Sequence, residues 1–372
     1  MRILFAIKSM ANAGGGTERV VSVLAPRLRS RGHDVRLVTL DRVEATSFYE
    51  LPADLPWTKL ATADIGEKLT LCASLRTIRR LRRLVRAERP DIAVGFMHSM
   101  YVPLAAALVG NGVPMIASEH IVPDYYRRRR LEYALLTLAC CRARKVTALS
   151  QAIADRYPAP VRRRMIAIPN PVSPTAPVKP VTRGQHETRT ILTIGRMDGQ
   201  KDHQTLIRAF ARIAPEFPDW QVRIVGDGEL RGDLEALVQD LGLGEQVSMP
   251  GTVKDTTREY LQADLFALPS RFESFGMVVA EALGHGLPVV AFADCPGVNE
   301  ILSDETTGLL VDGTDRPTAL ARALHRLVSD PALRTRLGSM GPSSVAHFQP
   351  DRIAERWETI LRETAQGARA HQ

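Results

Sequence analysis

The sequence has no apolar run near the roughly 18–20 residues that crossing a bilayer takes, and its longest apolar run near a terminus, Ile3 to Ile7, is too short for a secretory leader. A cytoplasmic location is the expectation. Cysteine is also scarce: Cys72, Cys140, Cys141 and Cys295 show no Cys-x-x-Cys spacing, which argues against a zinc knuckle or a disulfide framework and predicts reduced, mostly buried thiols. Acid is in deficit, with 41 Asp and Glu against 49 Lys and Arg, a formal charge of +8 supplied mostly by arginine. No nucleic-acid reader motif accompanies that charge, so nucleic acid is not the expected partner. What is present is 372 residues, 45% apolar and 24% charged, an ordinary globular composition long enough for two domains of roughly 150 residues with some chain to spare.

The opening Met1 to Ile7 reads as a strand running into the glycine loop Ala13 to Thr17, after which Val20, Val21, Leu24 and Leu28 recur at helical spacing. Gly32-His-Asp ends that helix and Val35 to Leu40 gives a second strand, completing a βαβ unit. Short apolar runs at Asp91 to Phe96 and Met115 to Ser118 repeat the pattern. Five prolines between Ile166 and Pro180 then prevent regular structure and predict a linker. Beyond it, strands are expected at 190–194, 220–225, 246–249 and 264–268, with helices at 202–213 and 230–241. The fold class is α/β, with two doubly wound domains in tandem: residues 1–170, a linker at 171–186, residues 187–350, and a tail helix in 351–372 that crosses back onto the first domain.

Ligands of open α/β sheets bind beyond the carboxyl ends of the strands, so the loops there are the places to search. Gly15 and Gly16 precede a helix N-terminus where phosphate could sit, though a tight turn explains the same glycines. Arg196 and Lys201 follow a strand and place two cations where a diphosphate could be held; solvated loop cations are the alternative. Glu273 and Glu281 lie eight residues apart around a predicted helix start with Ser274 as its N-cap. Glu281 would face the ligand from within a mostly apolar helix, a costly place for an acid without a partner.

In this order and spacing, Gly14-Gly-Gly-Thr-Glu-Arg-Val20, Arg31-Gly-His-Asp-Val35, Ile168-Pro-Asn-Pro-Val172, Gly195-Arg196 with Lys201, and Glu273-x7-Glu281 resemble the family 4 glycosyltransferases along nearly the whole chain. The resemblance implies the GT-B architecture, two Rossmann-like domains facing each other across a cleft, the first binding acceptor and the second donor. It implies that Arg196 and Lys201 hold the donor diphosphate, that Glu281 binds ribose, and that Glu273 contacts the transferred sugar beside the backbone of Phe275, Gly276 and Met277. Gly15 and Gly16 would approach the diphosphate, and Gly251, Thr252 and Val253 the base. His120 matches a histidine near the sugar, with Glu119 beside it and His98 as a further acceptor contact; a structural histidine is the alternative for each. Such enzymes retain anomeric configuration and need no metal or other cofactor, and the sequence has no Asp-x-Asp pair.

The implied partners are a nucleotide sugar, UDP-linked first and GDP-mannose second, and a glycan or polyprenyl-diphosphate-linked acceptor used in surface polysaccharide synthesis. Arg76, Arg79, Arg80, Arg82, Arg83, Arg86 and Arg89 share one predicted helix with Leu75, Ile78, Leu81 and Val85, and Arg127 to Arg130 follow Tyr125-Tyr126. Such a helix suits an anionic membrane surface, which would put the protein on the inner face of the cytoplasmic membrane; solvated arginines are the alternative. Two other functions stay open: a catalytically silent scaffold of this fold, and a dinucleotide-binding oxidoreductase, which the missing Gly-x-Gly-x-x-Gly spacing disfavours.

Overall fold

The computed structural model describes residues 1–11, 15–62, 70–126, 129–172 and 188–369. Gly14, Arg127, Arg128 and most of the expected linker, from residue 173 on, lie outside them. The chain divides into two compact units, residues 1–171 with 350–372, and residues 172–349.

The first unit contains β1 (Arg2–Ala6), α1 (Gly16–Ser30), β2 (Asp34–Thr39), β3 (Trp57–Lys59), α2 (Leu71–Glu88), β4 (Ile92–Phe96), α3 (His98–Ala107), β5 (Met115–Ser118), α4 (Arg130–Arg142), β6 (Lys145–Ala148), α5 (Gln151–Asp155), α6 (Ala159–Arg162) and β7 (Met165–Ala167). Its parallel sheet runs β3-β2-β1-β4-β5-β6-β7. Helices on both faces bury β4 and β5 completely, which is why these strands read as unbroken apolar runs. β7 corrects one expectation: Ile166 and Ala167 pair with Thr147 and Ala148, because the helix- and sheet-breaking prolines begin only at Pro169.

The second unit contains β8 (Arg189–Ile194), α7 (His203–Ala211), β9 (Trp220–Val225), α8 (Arg231–Asp240), β10 (Val247–Gly251), α9 (Thr257–Gln262), β11 (Leu265–Leu268), α10 (Met277–Gly284), β12 (Val289–Phe292), β13 (Gly308–Val311), α11 (Arg316–Ser329) and α12 (Pro331–Ser344). Its sheet order, β10-β9-β8-β11-β12-β13, follows the same plan. In each sheet the chain starts in the middle, builds outward on one side and then crosses to the other. The first strand is therefore flanked by the strand that begins the second half, β1 by β4 and β8 by β11. The loops leaving such a pair diverge, and a crevice opens between them.

The chain then re-enters the first unit as α13 (Pro350–Arg369). Ile353, Ala354, Trp357 and Leu361 fall on one face and are buried, and the helix packs against α1, β4 and β5. At the polar edge of this contact Glu358 accepts from His33 Nε2 at 3.0 Å and from Arg362 at 2.6 Å, with Arg31 3.3 Å away. The His33 bond first, then those from Arg362 and Arg31, hold this carboxyl down to about 2 from 4.5. An acid depressed by folding stabilises above its unfolded pKa, and the gain disappears as pH falls through the folded value. The Tm advantage of the native chain over Glu358→Gln should therefore be constant above pH 4.5 and shrink from there towards pH 2, read by thermal melts across pH. A difference that stays constant down to pH 2 would show that the carboxylate carries none of the docking.

Among the described residues no helix is long and apolar enough to cross a membrane. Cys140 and Cys295 are buried, Cys141 half-buried and Cys72 exposed, so only part of the thiol expectation holds.

Candidate active site

In the second unit, the loops after β8 and β11 form one constellation. Asp198 shapes the first by accepting from the backbone N–H of Gln200 at 3.0 Å and of Lys201 at 3.1 Å. Gln200 then joins the two loops, donating from its side chain to Phe272 O at 2.9 Å and accepting from Arg271 N at 2.9 Å. This brings Lys201 Nζ to 2.6 Å from Glu273 Oε1, which also accepts from Ser270 Oγ at 2.8 Å. Glu273 is 7% exposed, so a cation and a hydroxyl satisfy it away from water. Arg196 is not part of this cluster. Its side chain is 72% exposed on the rim and pairs with Asp198 at 3.2 Å.

Gly226 supports the first loop from beneath: at φ +141° it lies so close to Gly195 that a Cβ there would stand 2.0 Å from the Gly195 carbonyl oxygen. Gly297, at φ +82°, does the same for the second loop, where a Cβ would be 2.5 Å from Glu273 O.

The structure revises the helix start. α10 begins at Met277, and its N-cap is Gly276 in the left-handed region at φ +79°, with no side chain capping it; Ser274 stays in the loop. Glu281 consequently sits just past the first turn rather than two turns in. Among the described residues the N–H groups of Phe275, Gly276, Met277 and Val278 meet no acceptor, so the positive end of the helix is open beside the Lys201–Glu273 pair. Phe275 is anchored edge-on against Phe348, with centroids 5.1 Å apart. Glu281 is buried, and Tyr260 of α9 donates to its Oε2 at 2.9 Å, a partner 21 residues away that the sequence pattern did not indicate. Gly251, at φ +88°, ends β10 and accepts from Gly226 N at 2.9 Å, with Thr252 exposed and Val253 half-buried beyond it.

Arg316 was also missed. It is 9% exposed, stacks over Phe292 at 3.6 Å, donates to Asp294 at 3.0 Å, and stands 3.4 Å from Asp202. Its second terminal nitrogen donates to the carbonyls of Pro269 at 2.8 Å and Ser270 at 2.9 Å, the first residues of the loop that carries Glu273. Only an arginine at a helix start, in Asp-Arg-Pro, marks it in the sequence.

In the first unit, His120 follows β5. Its Nε2 lies 2.9 Å from Ser118 Oγ, and its ring lies beside Phe96, which packs in turn on Trp357 of α13. Burial pushes the imidazole down to about 4, so it is neutral near pH 7. Glu119 is not exposed for acceptor contact. Its side chain is buried, accepting from the N–H groups of His120 and Ile121 at 2.9 Å and from the Tyr101 hydroxyl, so it holds the loop carrying His120. Burial raises its carboxyl to about 7 against those hydrogen bonds. His98 begins α3, half-buried, with Nδ1 2.7 Å from the Tyr126 hydroxyl. At the α1 N-terminus, Gly15 is the N-cap and Gly16 the first helical residue, and the Glu18 carboxylate occupies the space a Cβ on Gly15 would need. An anion approaching these glycines meets an acid as well as the helix end.

Residues 14–176 match the model of Glycosyltransferase Family 4, and residues 178–343 that of Glycosyl transferases group 1. The lipopolysaccharide core biosynthesis glycosyltransferase LpsE of Rhizobium meliloti is 30% identical over 288 residues, 76% of this chain and 78% of its own. The chain belongs to glycosyltransferase family 4. This family 4 glycosyltransferase is also 26% identical, over 98% of its length and 99% of the other's, to a Campylobacter jejuni alpha-1,4-N-acetyl-D-galactosaminyltransferase whose name specifies a diphosphoundecaprenol-linked acceptor. Among solved structures, Anabaena HepE in complex with UDP and glucose superposes with a TM-score of 0.79 at 20% identity, covering 97% of this chain and 99% of that one. The fold is GT-B.

Proposed function

We propose that the enzyme transfers a hexose or N-acetylhexosamine, with retention of anomeric configuration and without a metal, from a nucleotide sugar to a glycan or lipid-linked acceptor in surface polysaccharide synthesis. The observation that carries this reading is the Lys201–Glu273 pair beside the uncapped α10 N-terminus. A half-buried cation and a row of backbone N–H groups suit a diphosphate that gains charge as it leaves. A carboxylate fixed by Lys201 and Ser270 suits sugar hydroxyls. In the transfer, the bond from sugar C1 to the phosphate oxygen breaks with its electron pair going to the diphosphate. The acceptor oxygen bonds to C1 on the same face, and its proton passes to the departing phosphate.

UDP is favoured, with support from the UDP complex of the HepE fold neighbour, and GDP-mannose is second. The names of the Campylobacter and Rhizobium relatives support a surface-glycan product and a lipid-diphosphate acceptor. Glu281 serves as the ribose ligand, with Tyr260 fixing its orientation. Arg196, exposed on the rim, closes on the diphosphate when donor binds.

The test is a thermal-shift and hydrolysis panel of UDP-, GDP-, ADP- and dTDP-sugars and NADH, run without metal on wild type and Glu281→Ala. One nucleotide sugar should stabilise the protein and be slowly hydrolysed, with the shift weakened in the variant. Response to NADH alone, or to nothing, would overturn the donor-site assignment.

A further inference from the structure

α2, α3 and α4 form one layer over the first sheet, with α3 packed between the other two. Two features of its outer surface are unexpected in a freely dissolved domain. α4 exposes Leu131 (75%), Leu135 (45%) and Leu138 (66%), spaced i, i+4, i+7 and so aligned on one face, while Leu136 and Cys140 fill the core from the opposite side. α2 buries Thr77, Leu81 and Val85 and turns Arg76, Arg79, Arg83 and Arg86 outward, none of them paired with an acid among the described residues. Leu75, one of the apolar residues of the predicted basic helix, is 47% exposed among these arginines, and Leu71 one turn earlier is 78% exposed.

Topology sets the orientation of this surface. Helices of right-handed parallel crossovers run opposite to their strands, so the N-terminal ends of α2 and α4 lie at the carboxyl edge of the sheet. Leu71, Leu75 and Leu131 therefore gather at the edge from which the His120 loop emerges. Tyr125, 39% exposed with the Arg129 guanidinium 4.4 Å over its ring, stands at the same end just before α4. The apolar side chains and an amphipathic aromatic occupy the edge where substrate would enter the first unit, with arginines extending away from it.

We infer that the outer face of α2 and α4 is a bilayer-docking surface, in which Leu131, Leu135 and Leu138 enter the acyl boundary while the α2 arginines hold anionic headgroups. The inference rests on the lipid-linked acceptor reading and deepens it by naming the partner and the inserting residues. Charge selects the occupant: a second copy of the chain would set two arginine-rich faces against each other, whereas an anionic bilayer accepts leucine and arginine together. Docked this way, the His120 edge lies at the headgroup level, within reach of a sugar on a lipid diphosphate.

The experiment is flotation of the full chain with vesicles of phosphatidylcholine alone or mixed with phosphatidylglycerol. It compares wild type, the triple variant Leu131→Gln, Leu135→Gln, Leu138→Gln, and the triple variant Arg79→Glu, Arg83→Glu, Arg86→Glu. Wild type should float only with anionic vesicles, and each variant should lose about tenfold or more in partitioning. All these side chains are exposed, so both variants should keep the wild-type melting temperature. Unaltered flotation of the leucine variant would overturn insertion. A wild type that never floats, or that sediments as a dimer which the leucine variant dissolves, would overturn the bilayer as partner. Nucleotide-sugar hydrolysis without vesicles, measured on the same samples, separates failure of docking from failure of the transferase reading.

Discussion

Replacing Lys201 by alanine should lower kcat/KM for sugar transfer by about 10^2- to 10^3-fold, the range for removing one positioned group that stabilises developing charge. The structure gives two reasons for so large a loss. The Lys201 ammonium is the cation within 2.6 Å of Glu273, so its removal leaves a 7%-exposed carboxylate held, among the described residues, by Ser270 alone. In the proposed donor site that carboxylate would stand next to the departing diphosphate, and repulsion would add to the lost attraction. Glu273→Gln should cost less alone and should recover part of the loss when combined with Lys201→Ala, since the uncompensated charge disappears. Steady-state kinetics on the four proteins, with melting temperatures measured alongside, closes the cycle. Activity of Lys201→Ala within about twofold of wild type would remove this pair from the reaction.

Arg316→Met should be the most destabilising single change at the site, costing about 3–5 kcal/mol, as breaking a buried ion pair does. Among the described residues Asp202, with its side chain 8% exposed, keeps only Arg271, and the carbonyls of Pro269 and Ser270 lose their donor. The loop they begin carries Ser270 and Glu273, so the KM for nucleotide sugar should rise together with the fall in Tm. Arg316→Lys should recover only part of both, because an ammonium cannot bridge two carbonyls and two carboxylates from one plane. Urea melts and donor-saturation curves measure the two effects. A normal Tm with Arg316→Met would show that the contacts are incidental.

Much of the fold was legible because its signals are local. β5 and β9 fall on the residues that their apolar runs predict, and the run of glycines before Val20 marks the start of α1. What escaped depends on contacts distant in sequence. β3 and β7 are three-residue edge strands: Trp-Thr-Lys of β3 carries no apolar run, and Met-Ile-Ala of β7 is a short one that merges into the proline-rich stretch. The α10 start shifted from Ser274 to Gly276 because the left-handed glycine, packed against the Gly297 loop, overrides the capping preference of a serine. At the site, residue types were readable but partnerships were not. Lys201 and Glu273 stand 72 residues apart and meet only because β8 and β11 are neighbours. Glu119 read as a ligand contact because an acid beside a histidine has the same sequence signature whether it faces substrate or braces a loop. Arg316 carries no motif, and only its burial reveals it.

The return of α13 also fixes an order of events during synthesis. The sheet that carries His120 is translated first, yet the Trp357 ring that closes over Phe96 leaves the ribosome only after the whole of residues 172–349. The nascent first unit therefore waits with Phe96 lacking its cover, while the second unit, contiguous in sequence, can fold as soon as it emerges. For this chain the unit made second can be finished first, because the first stays open on one face until α13 arrives.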